Sequence, residues 1–185
     1  MRTSVLVFFL TSIIALAQSE RSQVTFSGGE AVQLNVPSYD RASATSLGGS
    51  YSYRWFRNLS LEAGVMTALD PTGVIRGENF AGDVHDRFTW VHFGPCLVVP
   101  LWDGRFEFSL GAGGAYENYT VGNQNLGGAP APRTGWGGNF SGGAAFALDH
   151  GRHFWLGSTP RWFLVNAGAA HDRWFIVGGE LSFRF

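Results

Sequence analysis

The chain has 185 residues and a formal net charge of −1, and its 13 basic residues are all arginine, so lysine is absent. Charged residues make up 15% of it, against about 25% in an ordinary soluble domain, which leaves too few charges to wet a whole exterior. The balanced charge excludes a nucleic-acid footprint, and the single cysteine, Cys96, excludes an intramolecular disulfide and reads as a small residue packed within a strand.

Residues 1–17 read as a secretory signal peptide. Arg2 gives a positive start, residues 5–14 give an apolar run too short and broken to span a bilayer, and Ala15-Leu16-Ala17 fits the small-x-small cleavage rule. The mature chain, 18–185, then forms one domain. After the leader no apolar run approaches the roughly 20 residues of a membrane helix, so if the mature chain enters lipid it must do so as a closed barrel.

Alternation with period two begins near residue 23 and runs to 34, with Val24, Phe26, Val32 and Leu34 opposite Thr25, Ser27, Ala31 and Gln33. Glu30 falls on the apolar side, as a bulge that shifted the alternation would explain. After a loop at 35–41, residues 43–55 set Thr45, Leu47, Tyr51, Tyr53 and Trp55 against Ser46, Ser50, Ser52 and Arg54. A tight return leads to Leu59, Leu61, Ala63 and Val65, alternating with Ser60, Glu62, Gly64 and Met66. Residues 68–85 turn polar and read as the longest connection.

A fourth run, 86–101, places Val91, Phe93, Leu97, Val99 and Leu101 opposite Trp90, His92, Gly94 and Cys96. Pro95 and Pro100 suggest a bulge or a break in its ladder. Asp103-Gly104 signals a two-residue hairpin with positive φ at both residues. A fifth run covers 106–119, a loop 120–133, a sixth run 136–148, a sharp turn 149–152, a seventh run 153–165, a loop 166–173 and a last run 174–185. Eight strands result, joined alternately by long and short connections.

That asymmetry, with an even strand count and alternating segments of about ten residues, is the pattern of an outer-membrane barrel. The apolar face carries Leu, Val and Phe, with Tyr51, Tyr53, Trp55, Trp102, Tyr116, Tyr119, Trp136, Trp162 and Trp174 gathered toward strand ends as interfacial girdles. The other face is mainly Gly, Ser, Ala and Thr, as a narrow eight-stranded bore requires. The expected fold is all-β, an eight-stranded antiparallel up-and-down transmembrane barrel.

The leader, the loop asymmetry and the terminal Leu181-Ser182-Phe183-Arg184-Phe185 together resemble the small outer-membrane β-barrels of the OmpA/OmpX transmembrane type. The resemblance implies an outer-membrane location of the Gram-negative kind and contact with outer-membrane lipids. It further implies that the barrel-assembly machinery reads Leu181, Phe183 and Phe185 as a C-terminal signal, and a monomer without a peptidoglycan-binding domain.

Six charges project onto the polar face: Arg54, Glu62, Glu107, Arg161, Glu180 and Arg184. Buried charges must be paired, so they are expected to form a lumenal ion-pair network that fills the bore and fixes strand register, in preference to a gated pore. Neither a cofactor nor a metal is expected. His85, His92, His150, His153 and His171 do not stand with a serine as the hydroxyl chemistry of a lipid A-modifying enzyme would require, and no catalytic residue is assigned. Function falls to the loops, above all 70–86 and 120–133, in a structural or surface-interaction role. The alternative is a conduit for small solutes or hydrophobic compounds.

Overall fold

A computed structural model describes residues 21–34, 43–72, 87–120, 132–167 and 170–185. Residues 1–20, which include the expected signal peptide, and residues 35–42, 73–86, 121–131 and 168–169 lie outside the described residues. Nine strands form one antiparallel sheet: β1 Ser22–Gln33, β2 Ser43–Phe56, β3 Leu59–Thr72, β4 Arg87–Leu101, β5 Phe106–Thr120, β6 Arg133–Ala147, β7 Phe154–Ser158, β8 Arg161–Ala167 and β9 Ala170–Arg184. Consecutive strands pair except β7 with β8, which both pair with β6 and β9, and β1 pairs with β9 from Gln23–Arg184 to Gln33–Trp174, so the sheet closes on itself. Closure leaves no edge strand.

The eight expected strands are present, the seventh in two pieces. Both β7 and β8 lie between β6 and β9 and keep one register on each side, so Thr159-Pro160 interrupts a single stave without slipping it. Pro160 has no N–H to give the ladder, but its carbonyl still accepts from the Gly142 amide at 3.1 Å.

Several boundaries differ from expectation. Strand β3 continues to Thr72, and β8 and β9 extend until only residues 168–169 separate them. The last connection is therefore short, and the strict long–short alternation fails there. Pairing of Ala167 with Ala170 shows why: the hairpin ladder continues through residues whose polarity suggested a loop. The β4–β5 connection uses four residues, with Trp102 at φ 48°, Asp103 at φ 54° and Gly104 at φ 77°. The positive φ expected of Asp103-Gly104 thus begins one residue earlier, on a tryptophan.

At Glu30 the ladders to β2 and β9 run without a shift, which removes the bulge expected there. Glu30 is exposed on the outer face, three residues from the end of β1, where a charge on a barrel exterior costs about 0–1 kcal/mol. Register shifts occur instead between β2 and β3, at Ser43/Thr45 and at Arg54/Phe56. Pro95 likewise shifts nothing: β4 and β5 hold the same register before and after it, with only the pairs at Gly94 and Pro95 absent.

The two faces separate cleanly. Phe26, Leu110 and Trp136 are more than 60% exposed on the outside, amid a continuous belt that includes Val65, Val91, Phe93 and Leu181. A patch of this extent marks a surface made for lipid or a partner. Outer aromatics cluster toward the strand ends, Trp102 against Phe106 and Phe183 against Phe154 and Phe185 near the short turns, and Tyr116 against Trp136 near the loops. Inside, the wall is close: a Cβ on Gly29 or Gly178 would meet the backbone of the facing strand at the β1–β9 seam, and Gly94 and Gly113 stand likewise at the β4–β5 seam.

Candidate functional site

The bore is layered. Beneath the loops lies an aromatic layer in which Phe88, Trp90, Tyr119, Phe163 and Trp174 are fully buried. Phe88 meets Tyr119 at 4.4 Å and Trp174 at 4.7 Å between ring centroids, and Trp90 stacks on Phe163 at 5.1 Å. Alternation is what brings them together, since Phe88 and Trp90 on β4, Tyr119 on β5, Phe163 on β8 and Trp174 on β9 all hold inward positions. Tyr119 and Trp174, expected in the outer girdle, therefore face the lumen. Their place near strand ends suggested an interface, but side-chain parity decides direction.

Polar groups are threaded through this layer, most of them bonded, while Glu117 Oε1 and the Trp174 indole N–H are buried without a partner among the described residues. Arg133 forks onto Asp172 with two bonds of 2.8 Å and lies over the Tyr119 ring at 4.6 Å. The Trp90 indole N–H donates to Glu117 Oε2 at 2.7 Å. Arg133 and Asp172 had read as loop residues. Glu117 held an inward position in the fifth run and was legible from parity alone.

In the middle layer Arg161 Nη2 donates to Glu62 Oε1 at 2.6 Å and Nη1 to Asn139 Oδ1 at 3.3 Å, while His92 Nε2 lies 3.1 Å from the same Glu62 oxygen. Asn139 Nδ2 donates to the Gly114 carbonyl at 2.7 Å. Glu180 accepts from the Thr159 hydroxyl at 2.9 Å. Cys96 is buried on the inner face of β4, its thiol directed at the Leu97 carbonyl.

Near the short turns Glu107 receives two arginines: Arg54 Nη2 at 3.2 and 3.1 Å, and Arg184 through Nη1 at 3.3 Å and Nη2 at 2.8 Å. Arg184 also reaches Gln23 Oε1 at 2.9 Å and covers the Trp155 ring at 4.3 Å. All six charges projected inward from the sequence line this part of the bore, but they form two ion-paired groups, Arg161–Glu62 and Arg54–Glu107–Arg184, with Glu180 bonded to Thr159 instead; Arg133–Asp172 above them makes a third ion-pair group in the bore. Between the middle and lowest groups is a polar cavity of about 80 Å³, lined by Thr25, Ser52, Ser60 and Ser182 besides the charges. At about 10–15 Å³ of such space per water, it has room for several water molecules.

His92 has the carboxylate partner a general base needs, but among the described residues no hydroxyl or thiol hydrogen-bonds to its ring. His150 and His153 lie by the turn end, away from it.

A closed sheet, an apolar exterior and a filled polar-and-aromatic interior define a transmembrane β-barrel of the outer-membrane type. No protein-family model and no curated protein sequence matches the chain. In structure it is similar to Neisserial surface protein A, at 15% identity over 90% of this chain and 98% of that one, with a TM-score of 0.67. It is also similar to the outer membrane protein OprG from Pseudomonas aeruginosa, at 13% identity over 89% and 97% of the two chains, with a TM-score of 0.59. Ail, the attachment invasion locus protein of Yersinia pestis solved in complex with the heparin analogue sucrose octasulfate, is similar at 12% identity over 89% and 99%, with a TM-score of 0.51. At such identities the likeness is one of fold: the chain has the fold of the eight-stranded outer-membrane barrels.

Proposed function

We propose that the chain is an integral outer-membrane barrel with a structural or surface-interaction role, its loop end outside the cell and its short turns in the periplasm. The observation that carries this reading is the aromatic layer directly under the loops: with Trp90, Trp174 and Phe88 fully buried there, the bore offers no open path, and accessible chemistry on the outer side belongs to the loops. Segments 73–86 and 121–131 are the longest of these. Ail, a barrel of this fold, was solved in complex with a heparin analogue, which supports an interaction role for such a barrel.

The three ion-pair groups act in this reading as struts that fix strand register and fill the lumen. Outer-membrane lipids surround the apolar belt, and the barrel works as a monomer. Leu181, Phe183 and Phe185, the last two ring-stacked on the outer face, serve the assembly machinery as its recognition strand. No catalytic step is assigned.

The test replaces segments 73–86 and 121–131 by short turns. Cells carrying the intact protein should adhere to immobilised matrix or serum proteins, and cells carrying the shortened barrel should lose that adhesion while keeping heat-modifiable gel migration. Planar-bilayer recordings should show no large stable channels. Such channels in the intact protein would overturn the plug and favour the conduit.

A further inference from the structure

We infer that the turn end of the barrel is a binding site for a phosphate group. Below the lowest ion-pair layer an open vestibule of about 690 Å³ is lined by Arg54, Arg57, Arg152 and Arg184, with Glu107 and Asp103 as its carboxylates. The charges do not balance. Glu107 is shared by two guanidiniums, on side chains only 23% exposed for Arg54 and 11% for Arg184, so this group retains one positive charge partly out of water. Arg57 and Arg152 make no ion pair with any described residue. The middle layer differs, since there Arg161 is the one guanidinium on Glu62, whose other partner is the His92 ring. A partly desolvated surplus of positive charge is costly until an anion joins it, and the arginine fork suits phosphate oxygens in pairs.

The vestibule is also held in shape. Arg152 Nη1 donates to the Asp103 carbonyl at 2.9 Å, clasping the β6–β7 turn to the β4–β5 turn. Both turns carry bulky residues at positive φ, Trp102 at 48° and Arg152 at 59°, a conformation that costs free energy and persists where the surroundings enforce it. Gly104 sits at a φ of 77°, which favours glycine, and a Cβ there would push against the flexible end of the Arg152 side chain.

The shared chemistry is a phosphate oxyanion, carried by a soluble phosphoester or by a phospholipid headgroup of the adjoining leaflet. The inference depends on the proposed function only in calling this end periplasmic. Binding is read in vitro, so its failure and the failure of that assignment are separable.

The test uses the full chain refolded in an uncharged maltoside detergent, free of phosphate headgroups. Inorganic phosphate is titrated calorimetrically, and retention of phosphatidylglycerol from mixed micelles is read by native mass spectrometry. The double variant Arg57→Gln/Arg152→Gln alters only side chains outside the ion pairs, and its folding is checked by heat-modifiable migration. Saturable binding of at least one probe, weakened tenfold or more in the variant, is the expected result. Binding of inorganic phosphate assigns the site to a soluble phosphoester, and retention of the lipid alone assigns it to a headgroup. Absence of saturable binding for both probes, or equal binding by the folded variant, overturns the inference.

Discussion

The two ends of the bore are filled by the same zigzag with opposite chemistry. Toward the loops the inward positions hold Phe88, Trp90, Tyr119, Phe163 and Trp174, packed ring against ring beside Glu117 and the Arg133–Asp172 pair; toward the turns they hold Arg54, Glu107 and Arg184 around a polar cavity. The dry end gains from dispersion and excluded water. The wet end gains from ion pairs whose desolvation cost offsets much of their attraction. Alternation dictates only that a residue faces inward, and the choice between rings and charges decides which end seals and which can admit solvent.

The largest expected effect comes from breaking the dry end. Trp90→Ala removes a fully buried ring from between Phe163 and Trp174 and leaves Glu117 Oε2 without its donor. A loss of about 3–5 kcal/mol is expected from the cavity left by a core tryptophan, read by reversible urea unfolding in lipid vesicles. The same variant should show ion leakage in planar bilayers if this layer is the seal. Unchanged stability and conductance would remove the distinction between the two ends.

Glu107→Gln addresses the wet end. It leaves Arg54 and Arg184 facing one another without the carboxylate they share. Breaking a fully buried pair costs roughly 3–5 kcal/mol; with the Arg54 and Arg184 side chains partly exposed, about 2–3 kcal/mol is expected here, a loss that added salt should lessen because these charges are reached by solvent. A penalty equal to that of Trp90→Ala and indifferent to salt would mean that the lower layer is as dry as the upper.

Adjacent glycines on β9 give a finer contrast. A methyl on Gly178 would strike the backbone of Gly28 and Gly29, whereas at Gly179 nothing lies within 4 Å. Gly178→Ala should cost about 1–3 kcal/mol through overpacking, and Gly179→Ala should stay within about 0.5 kcal/mol. Equal effects in the unfolding assay would mean that the seam has room to move.

Much of this is legible in the sequence alone. Period-two patterning gave all eight staves and the inward direction of Arg54, Glu62, Glu107, Arg161, Glu180 and Arg184, because parity along a strand is fixed by backbone geometry. Heights were not legible: the pairing of Arg161 with Glu62, 99 positions away, depends on register between strands, which a single sequence does not encode residue by residue. The aromatic layer was missed for another reason. Tyr119 and Trp174 were assigned by proximity to strand ends, although parity, which had already put Trp90 inside, puts Trp174 inside as well. Arg133 and Asp172 escaped because loop-like composition around them concealed ladders that run further than polarity suggests.

The smallest effect belongs outside the membrane, at the β6–β7 turn. The Phe154 amide donates to Asp149 Oδ1 at 2.8 Å, and this bond to the charged form holds the Asp149 carboxyl below its usual range. A carboxyl depressed in the folded state contributes stability at pH values above its unfolded pKa of about 3.9, a contribution that disappears as pH falls through the lower folded value. Asp149→Ala should therefore leave the barrel indistinguishable from the parent at the acid end of that window. Above it, the variant should be slightly less stable and show faster amide exchange at Phe154. Arg152, which follows within the same turn and carries the clasp to Asp103, should lose part of its positioning with it. Phosphate binding in the variant should weaken by less than in Arg57→Gln/Arg152→Gln, since the guanidinium remains and only its anchorage is loosened.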